Sequence, residues 1–167
     1  MKLNVFAFLF SLLMLFGLSL ADSLRTKKPK APGLDLLYSA NITGGESVVI
    51  AGGPRGTRII SPILGGSFAG PRLKGTILPL GGDWALLDAN NGTTLTPDVL
   101  QTSQTDDGEV IQVWETGRSQ SQNEAYVTLN YETGSQKYYW INSVVAIGIL
   151  NVAGNSLSVD VWQLTAP

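Results

Sequence analysis

GPRLKGTILPLGGDW, residues Gly70–Trp84, is the stretch on which the reading of this chain turns. Its middle, Lys74–Leu80, is a β-type run, closed by the pair Gly81-Gly82 and reopened by Trp84–Asp88. Outward from it the same grammar repeats. Leu34–Ala40, Glu46–Ala51, Thr57–Ile63 and Ser67–Phe68 precede it; Leu95–Thr105, Glu109–Thr116, Ala125–Tyr131, Tyr139–Leu150 and Ser156–Leu164 follow. Turn signals separate the runs: Asn41–Gly45, Gly81-Gly82, Asn91-Gly92, Asp107-Gly108, Thr133-Gly134 and Gly154-Asn155. Leu157, Val159 and Val161 alternate with Ser158, Asp160 and Trp162, a period of two. Apart from a helical turn at Thr96–Leu100, no helical period is sustained after the N-terminal segment. The expected fold is all-β, a single antiparallel β-barrel over residues 34–167. A barrel is preferred to a sandwich because closure removes sheet edges and leaves a mouth for a ligand.

The chain opens with Lys2, an apolar run from Val5 to Leu18, and Ser19-Leu20-Ala21. A basic start, a short apolar core and a small-x-small site predict a secretory signal peptide, residues 1–21, cut after Ala21. Residues 22–33, DSLRTKKPKAPG, read as a flexible basic leader. Secretion makes the sequons at Asn41 and Asn91 candidate glycosylation sites, Asn91 the stronger because Asn90-Asn91-Gly92 is a turn. No later apolar run is long enough to span a bilayer, so no membrane attachment is expected after cleavage.

There is no cysteine and no histidine, and the formal net charge is −2. Disulfides are excluded, as are Ser-His-Asp and Cys-His nucleophile systems and the usual zinc and non-haem iron ligand sets. A mildly acidic chain carries no nucleic-acid footprint. Gly52–Gly56 lacks the Gly-Lys-Ser/Thr ending of a P-loop. No metal and no cofactor is therefore expected, and chemistry must come from carboxylates, Lys, Arg, Tyr, amides and shape.

Asp83 is the leading acid–base candidate, because a carboxylate beside the Trp84 indole is partly desolvated and its pKa rises. It also suits a simpler role, closing a hairpin by accepting backbone N–H groups. Arg72 and Lys74 share one strand face and could stabilise negative charge on a substrate oxygen, or bridge to Asp83 or Glu132. In Tyr138–Asn142, YYWIN, a strand would put Trp140 and Asn142 on one face, an aromatic wall with an amide beside it. The alternative is that Trp140 is core and Asn142 satisfies neighbouring backbone. Thr105–Gly108, TDDG, lacks the spaced ligands of a calcium loop and reads as a hairpin turn. Glu115 and Asp160 fall inside strands and are further candidates to face a lumen.

Six motifs in order, Gly53–Gly56 (GPRG), Gly65–Gly75 (GGSFAGPRLKG), Gly81–Trp84 (GGDW), Thr105–Gly108 (TDDG), Glu132–Gly134 (ETG) and Tyr138–Asn142 (YYWIN), resemble the domain of unknown function 3237 family over roughly Leu36–Leu164. The resemblance implies a small antiparallel β-barrel. The signal peptide, the Asn151–Asn155 turn and the glutamine-rich Ser119–Asn123 insert depart from the family's compact form and suggest a secreted eukaryotic branch. In size, signal peptide and β content the chain is also similar to secreted fungal hetero-Diels–Alderases, which unite a tropolone-type quinone methide with a sesquiterpene olefin.

These readings converge on a cofactor-independent enzyme of secondary metabolism. It would bind an oxygenated polyketide-type ring and catalyse dehydration, cyclisation or a (hetero-)Diels–Alder cycloaddition with a terpene-type olefin. Asp83 would move a proton, Arg72, Lys74 and Asn142 would hold oxygens, and Trp84 and Trp140 would wall the pocket. Two rivals stand beside it: a secreted small-molecule-binding barrel without turnover, and a cell-wall or adhesion module with outward aromatics. A homo-oligomer is left open.

Overall fold

The structure, a computed structural model, describes residues 28–167 except Asn91 and Asn155. The expected signal peptide, the first half of the expected leader and Asn91 itself lie outside the described residues. Ten strands follow in chain order: β1 Gly33–Gly44, β2 Val48–Gly53, β3 Gly56–Ala69, β4 Lys74–Asp88, β5 Leu95–Thr96, β6 Asp98–Thr105, β7 Val110–Ser119, β8 Glu124–Glu132, β9 Ala146–Ala153 and β10 Ser156–Thr165. Eight of them close a barrel in the order β3-β1-β10-β9-β8-β7-β6-β4, with β4 pairing back onto β3. Every pairing is antiparallel, and β2 and β5 extend the sheet from β3 and β4.

Inward positions follow the pleat. Ile111, Val113 and Glu115 on β7, Ala125, Val127, Leu129 and Tyr131 on β8, and Val159 and Val161 on β10 are buried. With Leu37, Phe68, Ile77 and Leu150 they fill the barrel. Tyr38 and Tyr131 meet edge to face in this core, their hydroxyls 3.1 Å apart, so neither buried O–H is wasted.

The glycine pairs behave differently from the turns expected of them. Each of β3 and β4 runs straight through its pair, and the ladder shifts register between Pro62 and Gly66 and between Ile77 and Gly81. On β4, Leu78–Leu80 stand opposite Thr102 alone, an excess of two residues that leaves Leu80 exposed, and Pro79 has no N–H to give the ladder. Gly65 and Gly81 take φ of 143° and 129°, which lets the strands bulge and bend around the barrel instead of reversing. The NITGG segment is likewise strand to Gly44, with the Asn41 side chain exposed.

Two further expectations are corrected. The helical turn at Thr96–Leu100 is absent; β5 and β6 are both extended and both pair with β4, with Pro97 between them. Tyr139–Leu150 is not one strand. Tyr139–Ser143 is a short 3-10 helix, and β9 begins only at Ala146. Ile141, 1% exposed, drops from this helix into the barrel end, and the Asn142 side chain holds it there by accepting the Thr133 N–H (2.8 Å) and donating to the Thr133 carbonyl (2.9 Å). Those two bonds occupy the amide that a strand neighbour would otherwise meet.

Candidate active site

One end of the barrel is plugged by the 3-10 helix. Towards the other, between the β1–β2 connection and the β9–β10 turn, opens a cavity of about 240 Å³ lined by Ile42, Ile63, Val99, Leu150, Val152 and Leu157 with four polar side chains, Ser47, Ser61, Asp83 and Glu115. The ladder explains why the polar groups converge. Ser61 pairs with Asp83, Asp83 with Val99, and Val99 with Glu115, one row across β3, β4, β6 and β7. The Leu78–Leu80 bulge adds an even number of residues, so the alternation that turns Ile77 inward also turns Asp83 inward.

Glu115 is 2% exposed, and its Oε2 has no hydrogen-bond partner. Burial, and then the charge of Asp83, push its carboxyl up to about 7. Asp83 Oδ1 accepts the Asp98 N–H at 2.9 Å. Burial nevertheless pushes Asp83 up to about 6, with that hydrogen bond pulling the other way. Burial thus lifts both carboxyls toward neutral pH, and the Asp83 charge lifts Glu115 further. Below Glu115 the Tyr38 and Tyr131 hydroxyls are pushed well above the usual phenol range, chiefly by burial, with the Glu115 charge adding to it. Ser47 and Ser61 share a hydrogen bond of 2.7 Å at the rim.

The other expected site residues are elsewhere. Trp84 follows Asp83 on β4, so it points outward and is 39% exposed; its carbonyl accepts from the Arg58 guanidinium, which also lies 3.9 Å from Asp98. Lys74 is nine residues from Asp83 along β4, roughly 25–30 Å at strand spacing. It pairs with Asp106 at 3.1 Å, and the Arg72 guanidinium lies 3.5 Å over the Trp140 ring at the plugged end. Neither cation bridges to Asp83 or Glu132, and neither can reach a group held by Asp83. Asn142 plays the backbone-satisfying role, not the ligand-holding one. Thr105–Gly108 is the expected hairpin turn, with Asp107 bonded to Thr105, Lys137 and Tyr138. Asp160 faces outward and accepts from Ser39 at 2.5 Å. Glu115, noted in the sequence only as a strand-interior carboxylate, is the true companion of Asp83. Its signal was the alternation Ile111-x-Val113-x-Glu115, which sets an acid on an apolar face.

Comparison with known proteins agrees with this frame. The model of the protein family of unknown function DUF3237 matches residues 32–164. The chain belongs to the DUF3237 family. Within reach of it in sequence is the hydroalkoxylation enzyme phnH of Penicillium herquei, 30% identical over 137 residues, covering 82% of this chain and 87% of that protein. A UPF0311 protein of Rhodopseudomonas palustris is 28% identical, covering 80% of this chain and 98% of its own. Among solved structures, a β-barrel-like protein from Acinetobacter baumannii superposes with a TM-score of 0.74 at 26% identity, covering 84% of this chain and all of that one. An enzyme from Penicillium herquei superposes with a TM-score of 0.68 at 30% identity, covering 83% and 98%. This DUF3237 chain is thus a small barrel related to a fungal hydroalkoxylation enzyme.

The buried acids also make stability depend on pH. In the unfolded chain Glu115 titrates near the ordinary ~4.3. In the fold it holds its proton up to about 7, so the native state binds the extra proton in between. The share of stability that rests on Glu115 is therefore full below about pH 4 and is lost as pH rises through about 7, by about 3–4 kcal/mol. Urea unfolding at about pH 5 and about pH 8 should show the wild type losing stability and Glu115→Gln losing about 2.5 kcal/mol less. Equal losses in the two proteins would contradict the burial of an acid here.

Proposed function

We propose that this DUF3237 protein is an acid–base enzyme of small-molecule biosynthesis that adds a hydroxyl of an oxygenated ring compound across an olefin of the same molecule, closing a ring. The observation that carries it is the Asp83–Glu115 pair, two carboxyls of split proton affinity facing one apolar cavity. The hydroalkoxylation named for the Penicillium relative is the same class of reaction and supports the reading. Glu115 gives its proton to one olefin carbon, the π pair forming the new C–H bond. The hydroxyl oxygen attacks the adjacent electron-poor carbon, forming the C–O bond, and the Asp83 carboxylate takes the hydroxyl proton. The sum is an isomerisation, so atoms and electrons balance with no oxidant, reductant or added cofactor. Proton exchange with solvent at the mouth resets the two acids.

The cycloaddition reading asks instead for donors on a substrate carbonyl. Arg72, Lys74 and Asn142, which were to supply them, are not at this cavity, and no other observation favours it.

The test is to incubate the protein in deuterium oxide with hydroxylated rings carrying a pendant olefin. The expected product is an isomer of the substrate with deuterium on the former olefin carbon, because the proton on Glu115 exchanges before transfer. A product that has lost water, or a cyclised product without carbon-bound deuterium, would overturn the mechanism. Ligand binding with no conversion across the set would favour the non-catalytic binding barrel.

A further inference from the structure

Among the described residues, three buried side-chain polar atoms have no hydrogen-bond partner: Gln101 Oε1, Glu115 Oε2 and Ser135 Oγ. Glu115 Oε2 is explained if it delivers a proton to substrate. Gln101 Oε1 is not. Gln101 is 2% exposed on the lumenal face of β6, two residues from the cavity-lining Val99. It pairs with Val113 while Val99 pairs with Glu115, so Gln101 and Glu115 are diagonal neighbours, roughly 7–8 Å apart by strand geometry. Nε2 donates to Ser103 Oγ at 3.0 Å, which leaves Oε1 as the part of the amide with no partner. An orphaned buried acceptor costs free energy in every ligand-free molecule, and a donor arriving with the ligand recovers it.

We infer that Gln101, which lies just beneath the lining residues Val99 and Glu115, is a specificity-determining residue whose Oε1 accepts a hydrogen bond from a hydroxyl that the ligand inserts past them. The inference rests on the reading of this cavity as the substrate site. It narrows the ligand class. A hydroxyl can donate to Gln101, whereas an ether oxygen or a carboxylate cannot and leaves the acceptor orphaned. Charge adds to this. Among the described residues the lining holds two carboxyls and no cation, since Arg58 is engaged with Trp84 and Asp98, and Arg72, Lys74 and Lys137 are occupied at the plugged end. The ligand is therefore not an anion but a ring compound with a free hydroxyl, on top of the hydroxyl that reacts. At about 240 Å³ the cavity is smaller than the ~300–1,000 Å³ usual for drug-sized ligands, which suits one or two rings.

The experiment is calorimetric binding of three probes, naphthoresorcinol, its dimethyl ether and naphthoic acid, to wild type and to Gln101→Leu. Wild type should bind the diol at least about tenfold more tightly than the ether, and the acid least of all. Gln101→Leu should lose about 5–150-fold for the diol and leave the ether unchanged, with little change in stability, since it removes one unsatisfied atom, Gln101 Oε1, and leaves another, Ser103 Oγ. A merely structural glutamine would instead lower stability and weaken both ligands alike. Should Gln101→Leu fail to fold, Ser103→Ala frees the amide from its anchor and should narrow the diol preference in the same direction. The inference is overturned if wild type binds the ether or the acid as well as the diol, if it binds none of the three, or if the variants keep the wild-type preference. Binding needs no turnover, so selective binding without conversion would sink the acid–base reading and leave this one standing.

Discussion

Replacing Glu115 by Gln should lower turnover by about 100- to 10,000-fold while leaving the protein folded, the range that a positioned acid or base typically contributes. The amide keeps the shape of the side chain and removes the proton to be given. Asp83→Asn should cost a similar factor by removing the acceptor for the hydroxyl proton. The two variants separate in their pH profiles. The active form has Asp83 ionised and Glu115 protonated, so wild-type activity should rise with pH through about 6 and fall through about 7. Residual activity of Asp83→Asn should lose the rising limb, and that of Glu115→Gln the falling limb. Losses in the double variant should not multiply, because both acids serve one proton cycle. Lys74→Met is the control; its ammonium pairs with Asp106 far along β4, and turnover should stay near wild type. A large loss in Lys74→Met, or near-normal turnover in both carboxyl variants, would move the site to the other end of the barrel.

The strands were legible because half-buried β residues alternate, and because Asp107-Gly108 is a true hairpin turn. The glycine pairs misled for a physical reason. A Gly-Gly between apolar runs permits reversal and bulging equally, and only the strands paired on both sides choose between them. In β3 and β4 those neighbours demand a bend that keeps the ladder running. The YYWIN segment failed in the same way. Its aromatic content suits a strand, but Asn142 spends its amide on the Thr133 backbone and coils the chain into a 3-10 turn. Site legibility followed from register. Asp83 was found from its local surroundings, whereas its meeting with Glu115 depends on Val99 lying between them in a three-strand row, a fact of pairing that no single stretch of sequence carries. Arg72 and Lys74 share a face as expected of alternation, yet a shared face says nothing of which end of a long strand they occupy.

Gly81→Ala should be among the most destabilising single substitutions available in this chain, by about 3–5 kcal/mol out of the ~5–15 kcal/mol that holds a typical domain together. Two costs coincide at this residue. Its φ of 129° is a conformation that alanine rarely adopts. A Cβ built there also collides with the carbonyl oxygen of Leu100 and crowds the Leu100 carbonyl carbon at 3.0 Å, atoms of the neighbouring β6 backbone that cannot swing aside as a side chain would. Relief would require parting β4 from β6 where the ladder resumes after the bulge, at the Gly81–Gln101 and Gly82–Leu100 pairs. Gly154→Ala supplies the comparison. Its φ of 61° lies in the left-handed region with nothing within 4 Å of the added carbon, so it should cost only about 1–2 kcal/mol. Urea denaturation of both variants measures the difference, and equal midpoints would mean that the bulge is soft and the backbone contact unimportant. The consequence reaches the site, because the bulge sets the phase and height of Asp83 two residues later. Any Gly81→Ala protein that does fold should therefore lose turnover at permissive temperature, while Gly154→Ala should not.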